Sequence, residues 1–566
     1  MSTIYNELSA ERKRLQAEGL LPDWMTTGGY QTLKKSLYKA KGLRDTYERI
    51  AHTAAKHTGN PEEWEKRFFD ILWKGWLACS TPVISNMGTP KGMPVSCSGG
   101  YIEDSIDGFY THAHEVAMLT KNGFGTSGYL GDIRPRGSDI SSGGKASGVL
   151  DVIETLVMVT KKVAQGGNDR RGAWAGYLPI DHDDFYEVAS YLEKFPDDLN
   201  IGWIIPDSFI FDLEMGSPEA HQRFQRVMKV KAVTGKGYFL LIDHANNQNP
   251  EMYKKFGLKV KASNLCIEIM LHSDADHTFT CVLSSMNLAK FDEWYGTDAV
   301  FVATVFLDCV ASEFIKMGRN VPGMEKAIRF TEKSRALGLG ALGFHTYLQQ
   351  NMIPFESFEA HMTNNKIFAH MQKEAKRASE WMAVEWGEPE WCKGFGVRNT
   401  HLLAIAPNTS SALMCGGVSQ GIEPLVAISY VQPTAAGDIQ RLNPVFLEFC
   451  AKKGIEVTEE FIKDINDHLG SVQHLTELLT DLEREVFKTA YEIDQKAIIR
   501  LASARQPRIC QGQSLNLFFD ADEDEAYIAE VTQMAFLDPN IKGLYYMRTM
   551  AGVGASRGDV CKACEG

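Results

Sequence analysis

Through 566 residues the chain alternates short apolar, β-rich runs with helical runs, and no Pro/Ser-rich linker or internal repeat interrupts it. A length like this ordinarily divides into three or four domains of ~150 residues. The unbroken alternation instead predicts one large α/β core, of barrel type. Gly237-Tyr238-Phe239-Leu240-Leu241-Ile242-Asp243 reads as a buried strand. Ile367, Met371, Ala375, Ala378 and Met382 recur every three to four residues and read as an amphipathic helix stopped near Gly387. Residues 1–75 read as helical, starting with the Glu-, Lys-, Arg-, Ala- and Leu-rich run from Glu7 to Leu20. The last seventeen residues read as a flexible tether, small in composition from Met550 to Gly558 and ending in Cys561-Lys562-Ala563-Cys564-Glu565-Gly566.

Composition narrows the function. Hydrophobic residues at 44% and charged residues at 23% are the balance of a soluble globular protein. A net charge of −13 argues against a general nucleic-acid binder, although local basic residues can still hold a small phosphate. No run reaches the ~18–20 apolar residues of a membrane span; the best lies between Asp298 and Asp308. The first residues are polar, without a basic patch leading into an apolar segment, so the expected location is the cytoplasm. Disulfides are rare there, yet the chain has eleven cysteines, most of them widely spaced. In such a protein the cysteines to examine are catalytic, redox or metal-bound.

Two glycine motifs fail on context. Gly123-Phe124-Gly125-Thr126-Ser127-Gly128 matches Gly-x-Gly-x-x-Gly, but a helical run precedes it where a dinucleotide site needs a strand. Gly143-Gly144-Lys145 lacks the first glycine and the hydroxyl of a P-loop. Cys561 and Cys564 have three readings: half a zinc site, a buried pair, or a redox shuttle. A mobile dithiol suits the third, and the ~50 Å reach of the fifteen residue steps from Tyr546 to Cys561 lets it visit distant sites. In Ser263-Asn264-Leu265-Cys266-Ile267-Glu268, an amide, a thiol and a carboxylate fall at i, i+2 and i+4. On an extended segment they share one face, where Glu268 could act as general base on a polyol; a plain strand with a buried cysteine is the alternative. Pro407-Asn408-Thr409-Ser410-Ser411 reads as the N-cap of a short helix, suited to a phosphate or simply a cap. Adjacent tyrosines such as Tyr545-Tyr546 ordinarily serve packing.

Together, and in this order, these segments resemble the large, catalytic subunit of class I ribonucleotide reductase, from about Leu21 to Gly566. The resemblance implies a ten-stranded α/β barrel of the ribonucleotide reductase and glycyl-radical type with a finger loop inside. That barrel would span 76–548, after the helical 1–75 and before a redox tail at 549–566. It implies that Cys266 becomes a thiyl radical, Glu268 takes the 3′-hydroxyl proton and Asn264 holds the ribose hydroxyls. Cys97 and Cys281 would supply protons and electrons and close to a disulfide, which Cys561 and Cys564 would reduce. Thr81, Ser96 and Pro407, Asn408, Thr409, Ser410 and Ser411 match substrate-binding segments, and Tyr545 and Tyr546 match a radical-relay dyad. Asp104, Lys121 and Arg134 match effector-binding residues. Gln165, Gly166, Gly167, Asn168 and Arg170 match the specificity loop, where Arg171 stands in place of the proline usual in eukaryotic-type relatives.

The implied activity is reduction of ribonucleoside diphosphates to deoxyribonucleotides, with dNTP or ATP effectors setting substrate specificity. The implied partners are a second copy of the chain, a small radical-generating subunit that holds the redox cofactor, and thioredoxin or glutaredoxin. No cofactor or metal is expected in this chain. Many relatives begin with an ATP cone, which has no counterpart before Leu21, so dATP shutdown through a cone is not expected. The alternatives are an adenosylcobalamin-dependent class II reductase, against which the tyrosine dyad argues, and an inactive nucleotide-binding scaffold.

Overall fold

The computed structural model describes residues 3–34, 43–164, 172–432 and 439–549. Its strands are β1 (Leu77–Cys79), β2 (Cys97–Tyr101), β3 (Thr126–Tyr129), β4 (Trp174–Pro179), β5 (Asn200–Ile205), β6 (Tyr238–Leu241), β7 (Phe279–Asn287), β8 (Leu337–Leu342), β9 (Ser429–Gln432), β10 (Ile439–Leu442), β11 (Leu517–Phe519), β12 (Gly543–Leu544) and β13 (Met547–Thr549). Nine of them form one sheet in the order β1-β7-β2-β3-β4-β5-β6-β12, with β8 also on β7.

The five strands from β2 to β6 are parallel. Helices Ile106–Lys121, Val149–Lys162, Phe185–Lys194 and Pro218–Thr234 provide the crossovers between them, as parallel pairing requires. β7 runs antiparallel to β2, and β8 lies parallel to β7. The second set continues through segments too short to be named strands, with parallel bridges Leu339–Leu403 and Ile405–Gln513. Tyr545 N–H donates to Leu515 C=O at 2.8 Å, and Leu517 N–H donates to Tyr546 C=O at 3.0 Å. β12, antiparallel to β6, closes the ring. The result is a barrel of ten staves: β2 to β6 in one direction, and β7, β8, 402–405, 511–519 and 543–549 in the other. The expected ten-stranded α/β barrel is therefore the fold.

Both faces of the staves are covered: β6 reads as one apolar run, and β7 is buried at every residue although it carries Thr280, Ser284, Ser285 and Asn287. Among the described residues, helices Thr3–Ala17, Thr27–Thr32, Leu43–Ala55 and Pro61–Trp73 precede β1. The apolar run after Asp298 belongs to helix Ala299–Gly318, which is buried nearly all round between β7 and β8. Asp308 within it is neutralised by Arg335 at 2.9 Å and Arg398 at 3.0 Å. Among the described residues, no helix is long and apolar enough to cross a membrane. The amphipathic helix runs Phe358–Trp386 and stops at Gly387, whose φ is +84°. The Gly123–Gly128 segment leads from a helix into β3, the reverse of a dinucleotide-binding turn. Gly125 is small for another reason: a Cβ there would stand 2.5 Å from Leu265 Cδ1.

Candidate active site

Leu265 belongs to a segment that threads the barrel interior, and the staves hold it by its backbone. Ser127 Oγ on β3 donates to Ser263 C=O at 2.6 Å, and Tyr177 OH on β4 donates to Asn264 C=O. From the opposite half, Gly512 N–H donates to Glu268 C=O at 2.9 Å and Ser514 Oγ to Cys266 C=O at 2.6 Å. Gly512 and Gly543 admit the loop: a Cβ on Gly512 would meet Met270 Cε at 2.7 Å, and one on Gly543 would meet Ile267 Cδ1 at 3.0 Å.

The loop is not the extended segment that i, i+2, i+4 spacing suggests. Ile267 N–H turns back to Asn264 C=O at 3.4 Å, and Ile267 adopts φ +63°. A β-branched residue in the left-handed region is strained, and such strain persists only where surrounding contacts impose it. Ile267 is fully buried among them. The turn, rather than strand alternation, gathers Asn264, Cys266 and Glu268.

Their environments are unlike water. Glu268 is buried, and that burial pushes its carboxyl up to about 7 against the opposing hydrogen bonds, including those from Asn264 and Ser514. Asn264 Oδ1 accepts from Ile269 N–H at 3.2 Å, and its Nδ2 donates to Cys97 Sγ at 3.5 Å. Cys97 and Cys281, 184 residues apart in sequence, are register partners across β2 and β7. Facing residues of antiparallel strands have Cα atoms about 4.5–5.5 Å apart, within disulfide range. Burial holds the Cys281 thiol well above its ordinary value, while Gln511 Nε2 donates to its sulfur at 3.3 Å. Gly338 on β8 leaves room for that sulfur, since a Cβ there would lie 2.8 Å from it.

On the far side of Cys266, Tyr545 OH donates to its Sγ at 3.5 Å. The Tyr545 and Tyr546 rings lie 4.0 Å apart between centroids. Tyr238 on β6 packs against both, at 4.9 and 5.5 Å, with its hydroxyl 3.4 Å from that of Tyr546. Buried Lys231 donates to Tyr545 C=O at 2.8 Å, and Tyr546 N–H donates to Asn516 Oδ1 at 3.0 Å.

Cys281 and Ser285 share a face of β7, about 13 Å apart along the strand. Ser285 Oγ donates to Asn408 Oδ1 at 2.9 Å, and Asn408 Nδ2 donates to the carbonyls of Ala406 and Ala341. Asn408, at φ +60°, turns the chain after Pro407 into helix Thr409–Met414. The N–H groups of Thr409, Ser410 and Ser411 precede the first intrahelical bond, from Ala412 N–H to Asn408 C=O. Ser411 Oγ donates to Cys79 C=O at 3.2 Å, tying this helix to β1 and to Thr81, the first residue of helix Thr81–Asn86. Ser96 precedes β2, with its Oγ 3.6 Å from Cys97 Sγ.

Of the candidate effector residues, Arg134 Nε pairs with Asp104 Oδ2 at 2.5 Å. Lys121 closes helix Ile106–Lys121 at the end away from Asp104, about 24 Å along its axis. Gln165, Gly166, Gly167, Asn168 and Arg170, and the tail Cys561 and Cys564, lie outside the described residues. The sequence reading passed over Ser514, Gln511, Tyr177 and Tyr238. A signal existed for the first two: Gln511, Gln513, Ser514 and Asn516 form a polar run that is buried in the fold.

Comparison with known proteins places this geometry. The family model described as ribonucleotide reductase, barrel domain, matches residues 95–218, 212–395 and 389–547, and the model of the all-alpha domain matches 31–92. The putative ribonucleoside-diphosphate reductase large subunit of Frog virus 3 is 35% identical, over 91% of this chain and 94% of its own. The large subunit of Invertebrate iridescent virus 3 is 29% identical, over 92% and 93%. Among solved structures, the class Id ribonucleotide reductase alpha subunit of Actinobacillus ureae superposes with a TM-score of 0.86 at 37% identity, covering 94% of this chain and 98% of that one.

Proposed function

The chain belongs to the ribonucleotide reductase large-subunit family, and from that premise we propose that it is the catalytic subunit of a class I enzyme reducing ribonucleoside diphosphates. The observation that carries this reading is the pairing of Cys97 with Cys281 on facing strands, beside a loop cysteine that touches Tyr545.

In the proposed reaction the Cys266 thiyl takes the 3′ hydrogen of the ribose and becomes a thiol. Glu268, ionised, takes the 3′-hydroxyl proton, and Asn264 steadies the hydroxyls. The 2′-hydroxyl leaves as water with a proton from the pair; Cys97, half-buried and in contact with Asn264, is the nearer donor. Closing the Cys97–Cys281 disulfide delivers two electrons and the second proton. Cys266 then returns its hydrogen to C3′ and is again a thiyl, and Glu268 returns its proton to the 3′ oxygen. The net change replaces C2′–OH by C2′–H, with one water and one disulfide formed. Burial of Cys281 supports its role, because a thiol kept protonated brings its hydrogen with its electrons.

Tyr545 and Tyr546 would carry the oxidising equivalent to Cys266 from a small subunit, whose cofactor supplies it. Thr409, Ser410 and Ser411 would hold the substrate phosphates, with Pro407 and Asn408 shaping the turn and Thr81 and Ser96 lining the approach. Cys561 and Cys564 would reopen the disulfide by exchange and pass it to thioredoxin or glutaredoxin, work suited to the cytoplasm.

Effector control would use Asp104, Lys121 and Arg134 with the 165–170 loop, across a homodimer. Exposed Ile106 and Tyr110 on one crossover helix and Met158 on the next support that dimer face. Joining two chains there would let Lys121 of one meet Asp104 and Arg134 of the other. The decisive assay is nucleotide reduction with a candidate small subunit, a dithiol reductant and one substrate–effector pair. Turnover must require the small subunit and must not require adenosylcobalamin; the reverse result refutes the class I assignment.

A further inference from the structure

Between the finger loop and β7 the chain makes a tight hairpin, from Leu271 through His272, Asp274 and His277 to Thr278, that takes no part in the chemistry above. Val260 bridges His272, and Asp274 bridges His277, both antiparallel. The two carboxylate oxygens of Asp274 face different imidazoles. Oδ2 lies 2.8 Å from His272 Nε2, and Oδ1 lies 2.8 Å from His277 Nδ1. The three ligand atoms all lie within 4.8 Å of one another. Trp391 packs against both rings, with centroids at 6.1 and 5.1 Å, and limits their rotation. The imidazoles are buried, while the Asp274 side chain is 38% exposed, so the cluster is closed behind and open to solvent at its carboxylate.

The other nitrogen of His272 is the telling feature. Lys259 presents to Nδ1 both its C=O, at 2.9 Å, and its N–H, at 3.1 Å. With the proton on Nε2, that nitrogen donates to Asp274 and Nδ1 accepts from Lys259 N–H. With the proton on Nδ1, it donates to Lys259 C=O, and Nε2 turns a bare lone pair toward the carboxylate. A lone pair and a carboxylate at that separation repel unless a cation stands between them. A backbone carbonyl on the far nitrogen is also the usual outer support of a metal-bound imidazole. We propose that His272, Asp274 and His277 bind one divalent transition-metal ion of the zinc class, with water completing its shell.

The donor set selects that class. Two imidazoles and one carboxylate suit zinc and its neighbours, whereas calcium and magnesium take shells of oxygen. Ligand atoms ~2.0–2.1 Å from a four-coordinate ion stand ~3.3 Å apart, so the imidazoles need close by no more than about 1.5 Å. The Lys333 cation also faces His277, but its Nζ is paired with Glu390 at 3.2 Å.

The ion would brace the hairpin four residues ahead of Cys281, and so the start of the strand that presents it. Asp464, His468 and His474 form a second such group, but there His468 is exposed and its ring stacks face to face on that of His474, with centroids 3.6 Å apart. It therefore serves as an internal control.

The test uses the full chain, stripped with a chelator and titrated with Co²⁺, then with Zn²⁺. One Co²⁺ should bind per chain with the weak visible bands of nitrogen and oxygen ligation, and Zn²⁺ should displace it. Asp274→Asn and His277→Gln should each weaken binding by roughly 100-fold or more, and His474→Gln should leave it unchanged. Circular dichroism identifies any variant that fails to fold, in which case the other carries the test. Binding that survives both substitutions, a sulfur-to-cobalt charge-transfer band, or no saturable binding below about 100 μM overturns the proposal.

Discussion

The carboxyl of Glu268 makes a quantitative claim about pH. In its proposed role as general base it must be ionised, and burial raises it from 4.5 to about 7. The sign follows: the active form is lost as pH falls through the raised value. At pH 8 about 90% of the carboxyl is ionised and at pH 6 only about 9%, so the chemical step should slow about tenfold over those two units. An ordinary glutamate would be about 97% ionised at pH 6, and the rate would barely change. Burial holds both Cys281 and Tyr177 far above this window in their neutral forms, but it also brings Lys231 and Glu423 to about 7, so the limb is assigned to Glu268 by its loss in the Gln variant. The assay is a single turnover of pre-reduced protein with the small subunit, so that re-reduction by the tail does not enter. Glu268→Gln keeps the shape and removes the base; it should lower the rate by about 10²–10⁴-fold and abolish the limb. A flat rate from pH 6 to 8 in the native chain, or a Gln variant within a few-fold of it, refutes the assignment.

Cys266→Ser should abolish reduction while leaving effector binding, measured by equilibrium dialysis, intact. Cys561→Ser combined with Cys564→Ser should stop turnover driven by thioredoxin but spare turnover driven by a small dithiol; equal loss in both assays contradicts the shuttle. Gly543→Ala places a Cβ 3.0 Å from both Ile267 Cδ1 and Phe239 C=O, and should cost about 1–3 kcal/mol in a denaturant titration.

What could be read from the chain was whatever residue types announce locally. Apolar runs and helical periodicity pointed to an α/β core, and motif order singled out the cysteines and tyrosines as candidates. Barrel closure was not readable in this way, because two of its staves, 402–405 and 511–519, pair largely through brief bridges that leave little periodic trace. The finger loop shows a similar limit. Alternation suggested one extended face for Asn264, Cys266 and Glu268, but the tertiary contacts force Ile267 into a conformation its own side chain disfavours. Tyr238 and Ser514 gain their places only once the ring is closed, by packing against chain more than 240 residues away.

The ring of two opposed half-barrels has a mechanical consequence. Its halves meet at two seams, one between β2 and β7 and one between β6 and β12. The Cys97–Cys281 pair straddles the first, and Tyr238 with Tyr545 straddles the second. Closing the disulfide would rivet the first seam and leave the second held by ring packing and hydrogen bonds alone. Oxidation state would then set how freely the halves rock about the tyrosines. Amide hydrogen exchange along β2 and β7 should slow on oxidation, so that each turnover alternates a stiff barrel with a looser one.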